Sequence, residues 1–535
     1  MLNRQRLPIL LVAVISLFAL LIWFCSGDFR VDQTWEEDAL MYTIGENHVN
    51  FGFWKNKLID DVATGNSPSA HPLLYTHNPN MLGVVQGLMQ LVGIKDIKYI
   101  KLLFFILFFI PGMWYYFLVI EKLFTTRIAL ITLAVTSTSY LGVICWADNS
   151  AHSLHWVLIF GALFYYLSLP TRDKKAKNDY RFHLFMAYFF LFIVGMLNYI
   201  HVLFVLVTIG LFYVFKIHRV EFKYLILLFS APFLLFILHQ IRVVSLLGIN
   251  VWMTDMVLNT KKALGQIGYR ELLDYYAKHG IVVWAVDFQS ISVERVIEFF
   301  LNGLRYREGI IGVFVLLVLI VTAIFHIFNK NWKRKFDIDK LGLKILTLFI
   351  ASISWTLIFP VHAANYFGAT PYIMLAGMIN LGWALIFATI IRQSFFDKSK
   401  IHIFIIVLFF VIFSCQRVGA FLKHPIASIP GSEVLQRYEK AKFYSNIWPL
   451  FVSYYTHEWT VGGLHPEDAV RRKPLAARYF LQKDKLYNDE YFRPDYYLYV
   501  YWQKVAPFGE PKHKKILDQT FPLVESGDKW FIYKM

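Results

Sequence analysis

The chain has 535 residues, of which 57% are hydrophobic and only 17% charged, with a mean hydropathy of +0.48. Soluble proteins carry about 25% charged residues, so this composition excludes a soluble globular protein and indicates an integral membrane one. A net charge of +16 would suggest nucleic acid in a soluble chain. Here the excess sits in short loops between apolar runs, which is an orientation signal, and no nucleic-acid partner is expected.

The first apolar run, 7–25, follows Arg4 and Arg6. It is longer than a signal-peptide core and lacks a small-x-small cleavage site, so a retained first helix is expected. A loop, 26–101, follows, holding Trp35-Glu36-Glu37-Asp38-Ala39, His71-Pro72-Leu73-Leu74-Tyr75 and His77-Asn78-Pro79-Asn80-Met81. The apolar stretch 81–94 is too short to span and is predicted to be a helix lying at the interface. Runs long enough to cross the hydrocarbon core, about 20 residues, then recur near 102–120, 128–147, 151–169, 182–197, 199–215, 224–241, 309–328, 341–359, 366–391 and 401–418.

With the N-terminus inside, the internal loops hold Lys174-Lys175-Ala176-Lys177, Lys216, Arg219, Lys223 and Lys333-Arg334-Lys335. The short external turns around 148–152, 198 and 360–371 hold no Lys or Arg. That asymmetry fits the positive-inside rule and predicts eleven spans with the C-terminus outside. Loop 26–101, loop 242–308 and the tail are then external. The pattern predicts a transmembrane module over 1–418 and a small extracytoplasmic mixed α/β domain over 419–535. Its end, Thr520–Met535, reads as two strands around Ser526-Gly527-Asp528-Lys529. The chain has no Asn-x-Ser/Thr sequon, which points to a bacterial inner membrane facing a periplasm rather than an ER lumen. Cys25, Cys145 and Cys415 lie in or beside apolar runs and form neither a disulfide framework nor a metal pattern.

Chemistry concentrates at the predicted outer face. Crowded carboxylates such as Glu36, Glu37 and Asp38 raise one another's pKa unless a cation compensates, which suggests a base, a metal site or a cationic substrate. The plainer alternative is a helix start after Thr34, stabilised by the helix dipole. Asp148, in Cys145-Trp146-Ala147-Asp148-Asn149-Ser150-Ala151-His152, is either a second site acid or the N-cap of the next helix. His152 and His155 fall on nearly one helix face. His362 and Tyr366 stand in the outer turn that ends at Pro371. Lys95, Lys98 and Lys101 are basic residues outside; at spacing three they are expected to share a helical face, suited either to a lipid phosphate or to snorkelling.

In order and spacing these elements resemble the GT-C glycosyltransferases, the polyprenyl-phosphate-sugar-dependent enzymes that include aminoarabinose transferases and protein O-mannosyltransferases. Trp35-Glu36-Glu37-Asp38-Ala39 is similar to the family's Trp-x-Asp-Glu-Ala with its two acids exchanged. His77-Asn78-Pro79-Asn80-Met81 keeps the His and one Pro of its His-Pro-Pro-Leu. Gly93 and Lys101 fall where the family has Gly and a span-opening Arg. Asn365-Tyr366 and Pro371 keep the spacing of an Arg-Tyr before Pro, with Asn in place of Arg and His362 as a stand-in one helical turn earlier.

The resemblance implies a GT-C-like all-α polytopic fold and a sugar donor on undecaprenyl or dolichyl phosphate. It also implies a glycan, lipid or protein acceptor and inverting single displacement at the outer face. Glu37 or Asp38 would serve as base, and Asp148 would orient the acceptor, the sugar or a metal. Lys101 and His362 would steady the leaving phosphate. Glu36, His77, Lys98, His152 and Tyr366 complete the implied substrate-binding set. Some members of that superfamily use a divalent metal such as Mg or Mn and others none; the sequence offers no clear ligand set. The alternative class is a transporter or flippase of lipid-linked saccharides, which calls for ionisable mid-membrane elements in repeated halves.

Overall fold

The computed structural model describes residues 35–55, 57–61, 74–76, 81–137, 150–171, 180–196, 199–263, 266, 279, 312–324, 340–358, 377–386, 431–447, 452, 455–456, 460–461, 466, 494–501 and 511–535. In chain order the main elements are α1 (Trp35–Phe51), β1 (Asp60–Asp61), β2 (Leu74–Tyr75), α2 (Met81–Leu91) and α3 (Ile97–Leu123). Then come α4 (Thr126–Ser137), α5 (Ser150–Ser168), α6 (Tyr180–Val194), α7 (Tyr199–Val214), α8 (Phe222–Leu247) and α9 (Ile249–Ala263). They are followed by α10 (Gly312–Ile324), α11 (Leu341–Ile358) and α12 (Gly377–Ile386). A short helix α13 (Ser432–Leu435) leads to β3 (Phe443–Ser445), β4 (Thr460–Val461), β5 (Tyr496–Val500), α14 (Pro511–Thr520), β6 (Leu523–Ser526) and β7 (Trp530–Lys534).

Two compact units divide the chain. One joins 1–25, 101–238 and 290–424; the other joins 26–100, 239–289 and 425–535. In the first, apolar helices pack on one another. Among the described residues α3, α8 and α11 are long and apolar enough to cross a membrane. The shorter apolar helices α4, α5, α6, α7, α10 and α12 occupy stretches where spans are expected, and the expected runs 7–25 and 401–418 lie outside the described residues. Helix α6 ends at Val194, with Gly195 and Met196 in a turn, and α7 begins at Tyr199, close to the division the sequence predicts.

Helix α3 contains a π-helical stretch, Phe105–Phe109, closed by a bond from the Ile110 amide to the Phe105 carbonyl. Pro111 follows at once; having no N–H to donate, it is tolerated where the ladder is already widened. Beyond it, Gly112 lets α5 approach closely. A Cβ there would lie 2.9 Å from both the Trp156 Cβ and the Val157 amide nitrogen.

In the second unit α1 and α2 cross at glycines. A Cβ on Gly45 would sit 2.8 Å from the Gly87 amide nitrogen, and one on Gly87 would sit 3.0 Å from the Gly45 carbonyl oxygen. The predicted helix over 81–94 is therefore present as α2, with Leu82, Val84, Gln86 and Gln90 buried. The tail forms a five-stranded mixed sheet in the order β4-β3-β5-β7-β6, with β3 parallel to both β4 and β5 and the rest antiparallel. Leu517 of α14 covers one face of it, together with Tyr444, Tyr497, Tyr499 and Tyr533. The two strands expected within 520–535 are β6 and β7, joined through a Gly527 amide bond to the Trp530 carbonyl.

Two expectations need correction. The span expected over 224–241 continues as helix to Leu247, and α9 follows after Gly248, so the segment taken as loop 242–308 begins as helix. Lys95, Lys98 and Lys101 do not share a face. The Asp96 carboxylate accepts the Lys98 amide at 2.8 Å and caps α3, leaving Lys95 ahead of the helix. Lys98 is exposed and Lys101 is buried.

Candidate functional site

Helix α1 begins at Trp35, which puts Glu36, Glu37 and Asp38 in its first turn. Unpaired amides and the positive end of the helix dipole favour ionised carboxylates there. That offsets the mutual repulsion of neighbouring acids. The other end of the helix is held by buried polar groups. His48 Nε2 lies 3.3 Å from Asp60 Oδ1, the two side chains 3% and 1% exposed, and the His48 ring stacks on Phe53 at 5.2 Å. Asn47 donates to the Asp61 carbonyl at 2.8 Å, and Gln90 of α2 donates to the Tyr42 carbonyl at 3.1 Å.

Arg242, in the last turns of α8, donates through Nε to the Lys57 carbonyl at 2.6 Å and through a terminal nitrogen to the Leu58 carbonyl. Both residues it clamps have positive φ, 54° at Lys57 and 59° at Leu58, a conformation that costs non-glycine residues energy. Asp60 stands two residues after Leu58. Burial raises its carboxyl above the ordinary carboxylate value, against the opposing His48 bond and the charges of His48 and Arg242. Its Oδ2 has no hydrogen-bond partner among the described residues.

A second clamp holds Thr76, immediately before His77. His239 Nε2 donates to the Thr76 carbonyl at 2.9 Å, and the Thr76 hydroxyl donates to Asp255 Oδ2 at 3.3 Å. His239 and Asp255 are buried. Residues 57–58 and 76, before β1 and after β2, are thus fixed by residues 163 to 185 positions away.

In the helical unit, His155 of α5 and His201 of α7 pack with ring centroids 3.9 Å apart. His155, Tyr116, Ile120, Trp156, Phe204 and Ser352 line an apolar cavity of about 50 Å³.

Of the residues singled out from sequence, Glu36, Glu37 and Asp38 lie in the first turn of α1 and His152 in the first turn of α5; the directions of their side chains lie outside the description. Lys98 and Lys101 are placed as above. His77, Asp148, His362 and Tyr366 lie outside the described residues. Among the described residues no three His, Cys, Asp or Glu side chains come together as a metal site. Sequence reasoning missed His48, Asp60, Thr76, His239, Arg242 and Asp255. The available signal was a paired His and Arg at i and i+3, His239 and Arg242, closing an apolar run.

No protein-family model matches the chain, and no curated protein is significantly similar to it in sequence. In fold it is similar to the Archaeoglobus fulgidus oligosaccharyltransferase. The crystal structure of that enzyme in complex with Zn and sulfate aligns at a TM-score of 0.51 and 11% identity, over 98% of this chain and 73% of that one. Its apo form aligns at 0.52 and 11%, over 92% and 69%. ArnT from Cupriavidus metallidurans in the apo state aligns at 0.43 and 9%, over 98% and 97%.

Proposed function

We propose, from the GT-C fold that this chain shares with the archaeal oligosaccharyltransferase, that it is a membrane glycosyltransferase moving a sugar from a polyprenyl-phosphate donor to an acceptor hydroxyl at the outer membrane face. One observation carries the reading: the fold likeness extends over 98% of the chain. It is reinforced by α1, the first described helix after the apolar run 7–25, which opens on Glu36-Glu37-Asp38. Residues 1–418 would form the membrane catalytic module and 419–535 the domain that shapes acceptor binding.

The chemistry follows from where the acids stand. A general base must be ionised before it can act, and the dipole at the start of α1 favours that state. Glu37 or Asp38 takes the proton of the acceptor hydroxyl as its oxygen bonds to the anomeric carbon. The bond from that carbon to the phosphate oxygen breaks, and the electron pair leaves with the lipid phosphate. A single displacement inverts the anomeric centre. The departing dianion needs positive charge rather than a proton. Lys98, exposed at the start of an apolar helix, is better presented for that task than buried Lys101. Asp148, His362 and Tyr366 remain proposed partners for sugar and phosphate.

The test is transfer from a panel of undecaprenyl-phosphate sugars by the full chain in proteoliposomes, followed by release of undecaprenyl phosphate and mass spectrometry of the product. The Glu37→Gln/Asp38→Asn double variant is expected to lose on the order of a hundredfold or more of the transfer rate while keeping its gel-filtration profile. Wild-type transfer by a well-folded double variant would remove the proposed base. Passage of the lipid-linked sugar across the bilayer without covalent transfer would favour a flippase.

A further inference from the structure

Helix α9 has three faces. Ile249, Met253, Met256 and Val257 are all exposed, and their i, i+4, i+7, i+8 spacing makes one continuous apolar stripe. Beside it runs a polar exposed stripe of Asn250, Thr254 and Lys261. The remaining face turns inward. Asp255 is 3% exposed and accepts from Thr76, while Trp252 packs on the cluster of Ile59, Leu74 and Val243. A helix on a water-exposed surface needs two environments; this one needs three.

The direction of α9 follows from one bond. Trp252 Nε1 donates to Gln240 Oε1 at 2.6 Å. Residues twelve apart on a straight helix are separated by about 18 Å, so the chain turns sharply between them. Gly248, at φ +84°, supplies the turn. Helix α9 therefore leaves the axis of α8 and folds beside its last turns. Of the three described helices long and apolar enough to cross a membrane, α8 has the smallest buried share, and it exposes Ile237, Leu238 and Ile241 as it ends. The exposed stripe of α9 starts only eight residues later, at Ile249.

We propose that α9 is a membrane-surface helix whose partner is the lipid bilayer. Ile249, Met253, Met256 and Val257 sit among the acyl chains where α8 emerges, and Asn250, Thr254 and Lys261 sit among headgroups and water. Lipid is favoured over a protein partner because the stripe follows within eight residues the exposed apolar end of a helix long and apolar enough to cross a membrane. The consequence reaches the candidate site. Asp255, on the inward face of α9, holds Thr76, so the bilayer itself sets the depth at which Thr76 is held. This inference stands independently of the glycosyltransferase reading.

The test uses the full-length chain with Cys25, Cys145 and Cys415 replaced by Ser, in phosphatidylcholine/phosphatidylglycerol vesicles. Nitroxide labels are attached through Met253→Cys, Val257→Cys, Asn250→Cys and Lys261→Cys, one at a time. Power saturation is expected to show oxygen collisions exceeding those of a water-soluble nickel chelate severalfold at 253 and 257, with the order reversed at 250 and 261. A nickel preference at 253 and 257, or exclusion of both reagents by a covering protein, would overturn the proposal. Should the cysteine-free chain fail to reconstitute, a photoreactive benzoylphenylalanine at Met253 in the native background gives the same reading. Lipid adducts are expected; protein adducts or none would refute it.

Discussion

Replacing Arg242 with Gln removes the clamp on the turn before Asp60. Two charged-donor hydrogen bonds are lost, one at 2.6 Å to the Lys57 carbonyl and one to the Leu58 carbonyl. Bonds of this kind contribute about 1.5–3 kcal/mol each. Arg242 is half-buried, so the lower figure applies and the sum is about 3 kcal/mol. The backbone it holds is itself unfavourable, since left-handed φ at a non-glycine residue costs about 1–2 kcal/mol and both Lys57 and Leu58 adopt it. Without the clamp the turn opens more often, by about a hundredfold at 1.4 kcal/mol per decade. Trypsin reads this directly, because the bonds after Lys55 and Lys57 lie in that turn. Cleavage tracks the open population when reclosing outpaces the protease. On folded proteoliposomes the Arg242→Gln chain is expected to be nicked there about a hundredfold faster. Adding Leu58→Gly, which relieves one strained residue, is expected to recover about tenfold. A rate within twofold of wild type would show that the clamp holds nothing.

Asp60 carries a pH signature. Its raised carboxyl means the folded state binds the proton more tightly than the unfolded one, so its contribution is most favourable at low pH. That contribution is lost as pH rises from the ordinary value, near about 4, through the raised one. Asp60→Asn, which keeps an acceptor for His48, is expected to gain in thermal midpoint over wild type between pH 4 and 8; a constant gap counts against the reasoning. Asp518 runs the other way. Partial burial would raise its carboxyl, but bonds from Lys514 and Tyr533 hold it below the ordinary value. Its stabilisation is present above about pH 4 and lost as pH falls further, so Asp518→Asn is expected to lower the midpoint at pH 7 and converge with wild type in acid. Gly45→Ala, whose Cβ meets the Gly87 amide nitrogen at 2.8 Å, is expected to cost about 1–3 kcal/mol by overpacking, measured as a lower thermal midpoint. Gly377→Ala, with nothing among the described residues within 4 Å, is expected to keep or slightly raise the midpoint.

The chain pattern revealed what depends on local periodicity. The helical stretches, the break between α6 and α7, and the hairpin around Gly527-Asp528 follow from apolar runs and turn residues close in sequence. The end of α8 did not, because Arg242 interrupts the apolar run while its side chain satisfies backbone carbonyls and lets the helix continue. The lysine stripe failed for a similar reason. Asp96 caps α3 one residue too late for Lys95 to join it. The polar clamps were illegible for a different one: His239 meets Thr76 and Arg242 meets Leu58 across separations of 163 and 184 residues, with no repeating spacing to announce them. The acids of α1 were legible as a cluster at a helix start. What they face was not, since that, like the clamps, is a matter of contacts across long separations in the chain.

The length of α1 keeps its two ends electrostatically distinct. Its acids occupy the first turn and His48 the last, with ten residues, or about 15 Å of helix, between Asp38 and His48. Two unit charges that far apart interact by only about 0.3–1 kcal/mol, at effective dielectric constants of about 80 and 20. A change of charge in the buried Asp60–His48 pair therefore shifts the acids at the other end by less than about one pKa unit. The two kinds of variant separate on this basis. Asp60→Asn moves the thermal midpoint and leaves the pH profile of transfer in place, because it alters only what anchors the helix. Asp38→Asn or Glu37→Gln changes the acid limb of that profile and, by losing one charge that the helix dipole favours, costs no more than about 1 kcal/mol of stability. A shift of the transfer profile in Asp60→Asn would mean that the two ends are coupled through the bound substrate rather than insulated by the helix between them.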